Sequence, residues 1–355
     1  MYYWLLMKIL YSGLKYINYN SKLGSSFEYN NFYESLRQFS GVEVIYFPFD
    51  RILQLGRDQW NTELLELVKK EKPDLFFAFM FTDELLLDVL NEIKKYTISL
   101  AWFADDHWRF DNYSKYYAPH FSWVATTYFQ AVERYQKIGV KKVIHSQWAA
   151  NTKLYKPNYE GSASITAPDV SFIGAWSRPR QKIISALQKA GIDVKVYGSG
   201  WPNGRISEEE MIKFFSLSRI NLALNPAPGY FNINSLGRLL FRRSMNKIVP
   251  DFNFYGNFRT WLNRGIRQIK ARHFEIPACR GFLLTEMADN LSDYYKIGKE
   301  IVIYKNTNDL IGKIKYFLKN DAERQMVVEN GYQRVLRDHT YAQRFKDIFT
   351  KIFID

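Results

Sequence analysis

The 355-residue chain is poor in several things, and each shortage removes a class of explanation. A single cysteine, Cys279, leaves neither an internal disulfide framework nor a cysteine-based metal site. A lone thiol suits a reducing cytoplasm, which is the expected location. No run of eighteen apolar residues occurs, so no helix-type membrane span is expected. The opening MYYWLL is apolar but short, and it lacks the cationic start of a signal peptide. The six residues ahead of Met7 read as an upstream start or a small surface anchor. The loop after the first apolar run, SGLKYINYNSKLGSS, contains no GxGxxG, which disfavours a dinucleotide dehydrogenase. Histidine is scarce as well, and His120, His145 and His339 have no evident partners in sequence and read as structural.

What is present points to a folded, two-domain protein with an anionic ligand. Hydrophobic residues make up 47% and aromatics 17%, ample for burial, and the length suits two cores rather than one. Residues 1–150 carry 17 Lys+Arg and 17 Asp+Glu, so the whole net charge of +13 lies in residues 151–355. Between Arg238 and Arg272 there are nine basic residues and one acid, Asp251. Such asymmetry implies an anionic partner handled by the second half: a nucleotide diphosphate, nucleic acid or an anionic membrane surface.

Apolar strands alternate with amphipathic helices along both halves. MKILYSG (7–13), VEVIYFPF (42–49), DLFFAFMF (74–81), TISLAWF (97–103), FSWVATT (121–127) and KKVIHSQ (141–147) read as strands, with helices at 30–39, 60–71, 83–95 and 128–138 between them. Uninterrupted apolar runs such as DLFFAFMF suit strands covered on both faces. AANTKLYKPNYEGSASITAP breaks the rhythm with Asn, Gly, Ser and Pro. The strand pattern then resumes at DVSFIGAW (169–176), DVKVYG (193–198), RINLALN (219–225), GFLLTE (281–286) and IVIY (301–304), with helices at 178–190, 207–217, 307–319, 321–336 and 340–353. The expected fold is α/β, with two Rossmann-like doubly wound domains facing across a cleft. The domains are placed at 1–150 and 169–339, joined by a linker at 151–168. A basic aromatic insertion occupies 227–268, and a C-terminal helix lies in 340–355.

In such sheets ligands bind at the carboxyl ends of the strands, which selects the loops to read. GAWSRPRQK places Gly174 in a close turn, with Arg178, Arg180 and Lys182 at a helix start. Three cations at the positive end of a helix dipole are unfavourable unless an anion joins them, so a phosphate site is favoured over a solvated turn. VYGSGWPNG follows a second strand; Gly198 there serves either a tight turn or a close backbone approach to nucleotide. In AWFADDHWRF, Asp105, Asp106 and His107 follow a buried strand and suit acceptor positioning or proton exchange, against the alternative of a helix cap or salt bridge. In IKARHFEIPACRGFLLTE, the expected helix begins at Glu275 with Pro277 in its first turn. Glu275 would accept ribose hydroxyls, while Lys270 and Arg272 would meet a diphosphate.

KARHFEIPACRGFLLTE, with GKEIVIYKNTNDLIGKIKYFL and ERQMVVENGYQRVLRDHTYAQRF after it, resembles the carboxyl half of CgeB-like glycosyltransferases, members of the GT-B group related to the retaining family-4 enzymes. AANTKLYKP, VSFIGAWSRPRQKIISAL and VYGSGW fit the same pattern. The likeness covers roughly 169–350 and is only architectural before 150. It implies sugar transfer from a nucleotide-diphosphate-sugar to a hydroxyl acceptor, and a C-terminal helix in 340–355 that crosses back to the first domain. With Arg178, Arg180, Lys182, Lys270 and Arg272 as fixed cations for the leaving diphosphate, no metal and no other cofactor are expected. The likeness also implies that Glu275 is the second acid of an E-x7-E motif and holds ribose. The first acid of that motif is replaced by Arg267, and PACGG by Cys279-Arg280-Gly281. Two rival readings stay open: a nucleotide-sugar epimerase on the same scaffold, and a non-catalytic carbohydrate- or nucleic-acid-binding protein. The acceptor side leaves polysaccharide, lipid-linked, protein and modified-nucleic-acid partners open, and the basic stretch adds peripheral contact with an anionic membrane.

Overall fold

The structure, a computed structural model, describes residues 7–159, 168–226 and 233–354. The residues ahead of Met7, most of the later part of the expected linker and the start of the 227–268 segment lie outside that range. In chain order the strands are β1 (Met7–Ser12), β2 (Val42–Tyr46), β3 (Leu75–Phe79), β4 (Ile98–Phe103), β5 (Trp123–Thr126) and β6 (Val143–His145). They continue with β7 (Val170–Ile173), β8 (Val194–Tyr197), β9 (Ile220–Ala223), β10 (Phe241–Ser244), β11 (Lys247–Pro250), β12 (Leu283–Glu286) and β13 (Val302–Tyr304).

Two compact units divide the chain: Met1–Gln147, Tyr230–Arg264 and Tyr341–Asp355 form the first, and Trp148–Gly229 with Gly265–Thr340 the second. The first holds a six-stranded sheet in the order β2-β1-β3-β4-β5-β6, every neighbouring pair parallel. Its central strand, LFFAF, is buried along its whole length because both faces of the sheet are covered. The second unit has the order β8-β7-β9-β12-β13, again parallel throughout. Both sheets therefore reverse winding between their first and third strands, and that reversal opens a crevice at the carboxyl ends of β1 and β3 in one and of β7 and β9 in the other.

The last helix, Tyr341–Phe353, buries Tyr341, Phe345, Ile348, Phe349 and Ile352, the spacing of one helical face. Its Phe345 ring lies 5.7 Å from Phe32 and 6.1 Å from Phe77, so this helix belongs to the core of the first unit. The 227–268 segment departs from expectation. Although it interrupts the second domain in sequence, its residues 230–264 belong to the first unit, as an antiparallel β10–β11 hairpin and a helix, Phe254–Asn263. The ties are polar: Asp83 accepts hydrogen bonds from Arg242 and Ser244, at 2.8 and 2.9 Å. Contacts between residues about 160 positions apart leave no local periodicity to read.

Candidate functional site

At the end of β7, the helix Arg178–Lys189 starts behind Ser177, whose hydroxyl caps the Arg180 amide. The first turn contains no acidic residue, so the cations there are uncompensated within the helix. Arg178 and Lys182 are exposed, as expected for groups that meet a ligand or water. Arg180 is different. Its Nε donates to the Leu224 carbonyl at 3.1 Å and its Nη1 to the Ala175 carbonyl at 2.7 Å. Those bonds fix the guanidinium across the mouth of the β7/β9 crevice. Burial works against its charge, and Glu286 nearby works for it, leaving the pKa below the ordinary arginine value. Arginine stays protonated regardless.

Glu286, at the carboxyl end of β12, is buried and accepts the Asn225 backbone N–H at 2.7 Å. The Asn225 side chain donates to the Gln268 carbonyl at 2.9 Å, drawing the 265–271 loop onto the end of β9. Tyr304, ending β13, has its phenol pKa raised by burial and by Glu286. Glu286, Asn225 and Tyr304 are site residues that sequence reasoning missed. The available signal was an acid closing the strand LLTE after the apolar run FLL, at the end where ligands bind.

Gly198 resolves between its two readings in favour of packing. Its φ is 137°, and a Cβ there would lie 2.1 Å from the Gly174 carbonyl oxygen. The Gly174 amide donates to Tyr197 at 2.9 Å and the Trp176 amide to Ser199 at 2.7 Å, so the two loops zip together beyond β7 and β8. The backbone approached by Gly198 is thus the Gly174 loop itself.

The helix carrying Glu275 begins three residues earlier than expected, at Arg272, and runs to Ala278. Pro277 consequently lies inside it rather than in its first turn. Proline lacks the N–H that would bond the His273 carbonyl, and the Tyr295 hydroxyl fills the gap at 2.8 Å. The helix ends in a Schellman arrangement, Gly281 N–H to Ile276 and Arg280 N–H to Pro277, both at 3.0 Å. Arg280 occupies the left-handed position with φ 53°, where glycine is usual. Arg280→Gly is expected to raise the unfolding free energy by about 0.5–1 kcal/mol, once the greater freedom of glycine in the unfolded chain is allowed for. A lowered urea midpoint would show instead that the Arg280 contacts with Glu329 and the Tyr332 ring outweigh the backbone strain.

Glu275 is fully buried, and one carboxylate oxygen takes the Arg272 guanidinium. The other, Oε1, accepts no hydrogen bond among the described residues. A buried, unpaired carboxylate oxygen is costly, and in native proteins it calls for a functional account. Tyr155 and Cys279 sit close by; burial raises both their pKa values, and the Glu275 charge adds to the rise. Arg272 is a correction to the expected diphosphate contact. Its guanidinium is turned inward, on Glu275, over the Phe215 ring at 5.2 Å and against the Met211 sulfur at 2.9 Å. Lys270 contributes through its backbone, where its N–H lies 3.0 Å from His273 Nδ1.

His273 links this helix to the sheet: Nε2 lies 3.2 Å from the Thr285 hydroxyl, which donates to the Ala223 carbonyl at 2.9 Å. Arg180 and the Glu275 helix therefore converge on β9, at the adjacent carbonyls of Leu224 and Ala223. Burial pushes the His273 pKa down to about 4, so the ring is neutral in the folded protein near pH 7. The unfolded chain binds a proton near pH 6.5 that the native state refuses, so stability held above that pH is lost as pH falls toward 4. The urea midpoint of the wild type should fall over that window, and His273→Gln should lack that part of the decline. Identical slopes would remove His273 from the account.

In the first unit, Asp105 begins a short helix after β4 in the left-handed conformation, φ 61°. Asp106, expected on the acceptor side, is fully buried like Glu275: its Oδ2 accepts hydrogen bonds from Thr126 at 2.6 Å and Tyr135 at 2.8 Å, and its Oδ1 accepts none among the described residues. Burial raises its pKa, against the pull of those hydroxyls, so it braces the loop. His107 is also buried, with its ring edge-on to Tyr128 at 6.0 Å. Glu28 opens the helical segment Glu28–Tyr33 that follows the β1 loop. Burial foremost, with Asp50 and Glu84 adding, pushes its carboxyl up to about 7.

Comparisons with known proteins bear on the fold and on the second half of the chain. Residues 178–350 match a family model described as glycosyl transferase-like. No curated protein matches the chain. Sucrose-phosphate synthase from Thermosynechococcus elongatus superposes with a TM-score of 0.60 at 12% identity, over 98% of this chain and 99% of that one. A glycosyltransferase from Rickettsia africae gives 0.61 at 11% identity, over 98% and 99%. HepE of Anabaena, solved with UDP and glucose, gives 0.57 at 10% identity, over 98% and 100%. The chain has the GT-B fold of glycosyltransferases, and the segment of it that carries Arg180 and Glu275 is glycosyl transferase-like in sequence.

Proposed function

We propose that the protein is a CgeB-like, retaining glycosyltransferase that moves a sugar from a nucleotide-diphosphate-sugar to a hydroxyl acceptor. The observation that carries this reading is the convergence of Arg180 and the Glu275 helix on the end of β9. In this reading the diphosphate lies against the helix start, where Arg178, Arg180 and Lys182 supply fixed positive charge. Charge already in place where a leaving group gains negative charge lowers the barrier. The free Oε1 of Glu275 accepts a ribose hydroxyl, which fills its missing hydrogen bond. Asp105 and His107 stand on the acceptor side, with Asp106 holding their loop. That the matched segment is glycosyl transferase-like, and that HepE was solved with UDP and glucose, supports a nucleotide-sugar donor.

Fixed arginines and lysines in place of a metal ion make turnover insensitive to chelation. Nucleoside diphosphate release from the productive donor is expected to continue in EDTA at an unchanged rate. Loss of release on chelation, restored by Mg²⁺, would contradict the metal-independent mechanism while leaving sugar transfer intact. Turnover of a donor without any acceptor, giving an isomeric nucleotide-sugar rather than free diphosphate, would favour the epimerase.

A further inference from the structure

The helix Phe254–Asn263 is inside out. It buries Gly256, Asn257 and Thr260 and turns Phe254, Phe258 and Leu262 outward, one stripe at i, i+4 and i+8, with Tyr255 beside it. A surface helix of a soluble protein ordinarily does the reverse. The inversion is built in by its contacts. The Asn257 side chain accepts from Asn112 at 2.8 Å and donates to the Leu239 carbonyl at 3.3 Å. Gly256 approaches so closely that a Cβ would lie 2.7 Å from the Asp111 carbonyl oxygen. Rotating the aromatics inward would break every one of these. Phe252, whose ring lies 6.3 Å from that of Phe254, is 80% exposed, and Ile248 on β11 is 71% exposed. A monomer seldom leaves so many large apolar side chains of one segment to water without use.

Charge says what covers it. Residues 233–264 contain Arg238, Arg242, Arg243, Lys247, Arg259 and Arg264 against a single acid, Asp251, which is buried; Asp83 and Asp111 of the same unit pair with Arg242 and Arg259, so these cations still outnumber the acids six to three. A second copy would bring this positive surface against itself, which like-charge repulsion opposes. A polynucleotide would use the cations and rings but gains no stacking from Ile248 or Leu262. An anionic bilayer takes both features at once, apolar side chains at the acyl boundary and cations at the phosphates.

We propose that the hairpin and the helix Phe254–Asn263 form a membrane-docking face, which inserts Ile248, Phe252, Phe254, Tyr255, Phe258 and Leu262 at the headgroup boundary of an anionic lipid surface. This holds whether or not the site in the second unit transfers sugar. The test is flotation of the full chain with vesicles of phosphatidylcholine alone and with phosphatidylglycerol added. The chain is expected to float only with the anionic vesicles, and less so as salt rises. Tyr255→Ser with Phe258→Ser should reduce partitioning about tenfold or more. Lys247→Gln and Arg259→Gln should each reduce it about fivefold and flatten the salt dependence. All four side chains are exposed, so the variants should keep the wild-type melting temperature, and the comparison is then one of binding alone. Failure to float, or equal flotation of the serine variant, overturns the proposal. So does a dimer in light scattering that the serine variant dissociates, or tight polynucleotide binding without vesicle binding.

Discussion

Glu275→Ala is expected to weaken nucleoside diphosphate binding about a hundredfold, because a hydrogen bond to an ionised carboxylate is worth about 1.5–3 kcal/mol when its partner is lost. The side chain is fully buried with one oxygen on Arg272 and the other without a donor. In the proposed reading a ribose hydroxyl supplies that donor. Alanine also strands the Arg272 guanidinium, so part of any loss is a general loosening of the fold. Two comparisons separate the effects. Glu275→Gln keeps an acceptor oxygen and should lose only about tenfold, since the hydrogen bond survives without its charge. Ribose and deoxyribose diphosphates should differ in affinity for the wild type and bind the alanine variant alike. If wild type and variant discriminate equally between the two sugars, Glu275 does not touch ribose, whatever happens to the melting temperature.

For Arg180→Ala the expected result is a split rather than a uniform loss. Diphosphate affinity should fall about 10- to 100-fold, the range for a charge-assisted hydrogen bond, while nucleoside affinity hardly changes. The guanidinium is held by the carbonyls of Leu224 and Ala175, and those two acceptors lose their donor in the variant. Some loss of stability follows, yet it weakens nucleoside and diphosphate in proportion and so cancels in their ratio. Arg180→Lys tests geometry. Lysine keeps the charge but cannot bond both carbonyls and a phosphate at once, so it should fall between wild type and alanine. Equal losses for nucleoside and diphosphate would take the phosphate away from this loop.

Much of the scaffold was legible because it depends on local pattern. DLFFAFMF declares a strand covered on both sides, and the polar run after GAW, with Arg178, Arg180 and Lys182, reads as a helix start at 178; the structure has both. Arg180 could be placed at a strand end for the same reason. What could not be read depends on neighbours distant in sequence. Glu286 matters because β12 lies beside β9, which brings it to the Asn225 amide 61 positions away. Pro277 reads as a first-turn residue until the Tyr295 hydroxyl is seen to satisfy the carbonyl it orphans. Arg272 reads as a free cation beside a diphosphate, and folding turns it onto Glu275 and Phe215 instead. Asp106 looks equivalent to Asp105 in sequence, and only the hydroxyls of Thr126 and Tyr135 make it a buried brace. Within the 227–268 insertion no helix was legible, because Phe254–Asn263 buries Gly256, Asn257 and Thr260 rather than an apolar stripe.

The claim on which the rest depends is that the carboxyl ends of β7, β9 and β12 hold a nucleotide diphosphate. The most direct measurement is a thermal-shift titration of the intact chain with UDP-, GDP-, ADP-, CMP- and dTDP-sugars and with the matching free nucleotides. A ligand that binds only the folded state raises its melting temperature by mass action. One diphosphate class should raise it in a saturable way, and Arg180→Ala should abolish that rise. No shift with any nucleotide, or a shift that survives in Arg180→Ala, would contradict the account.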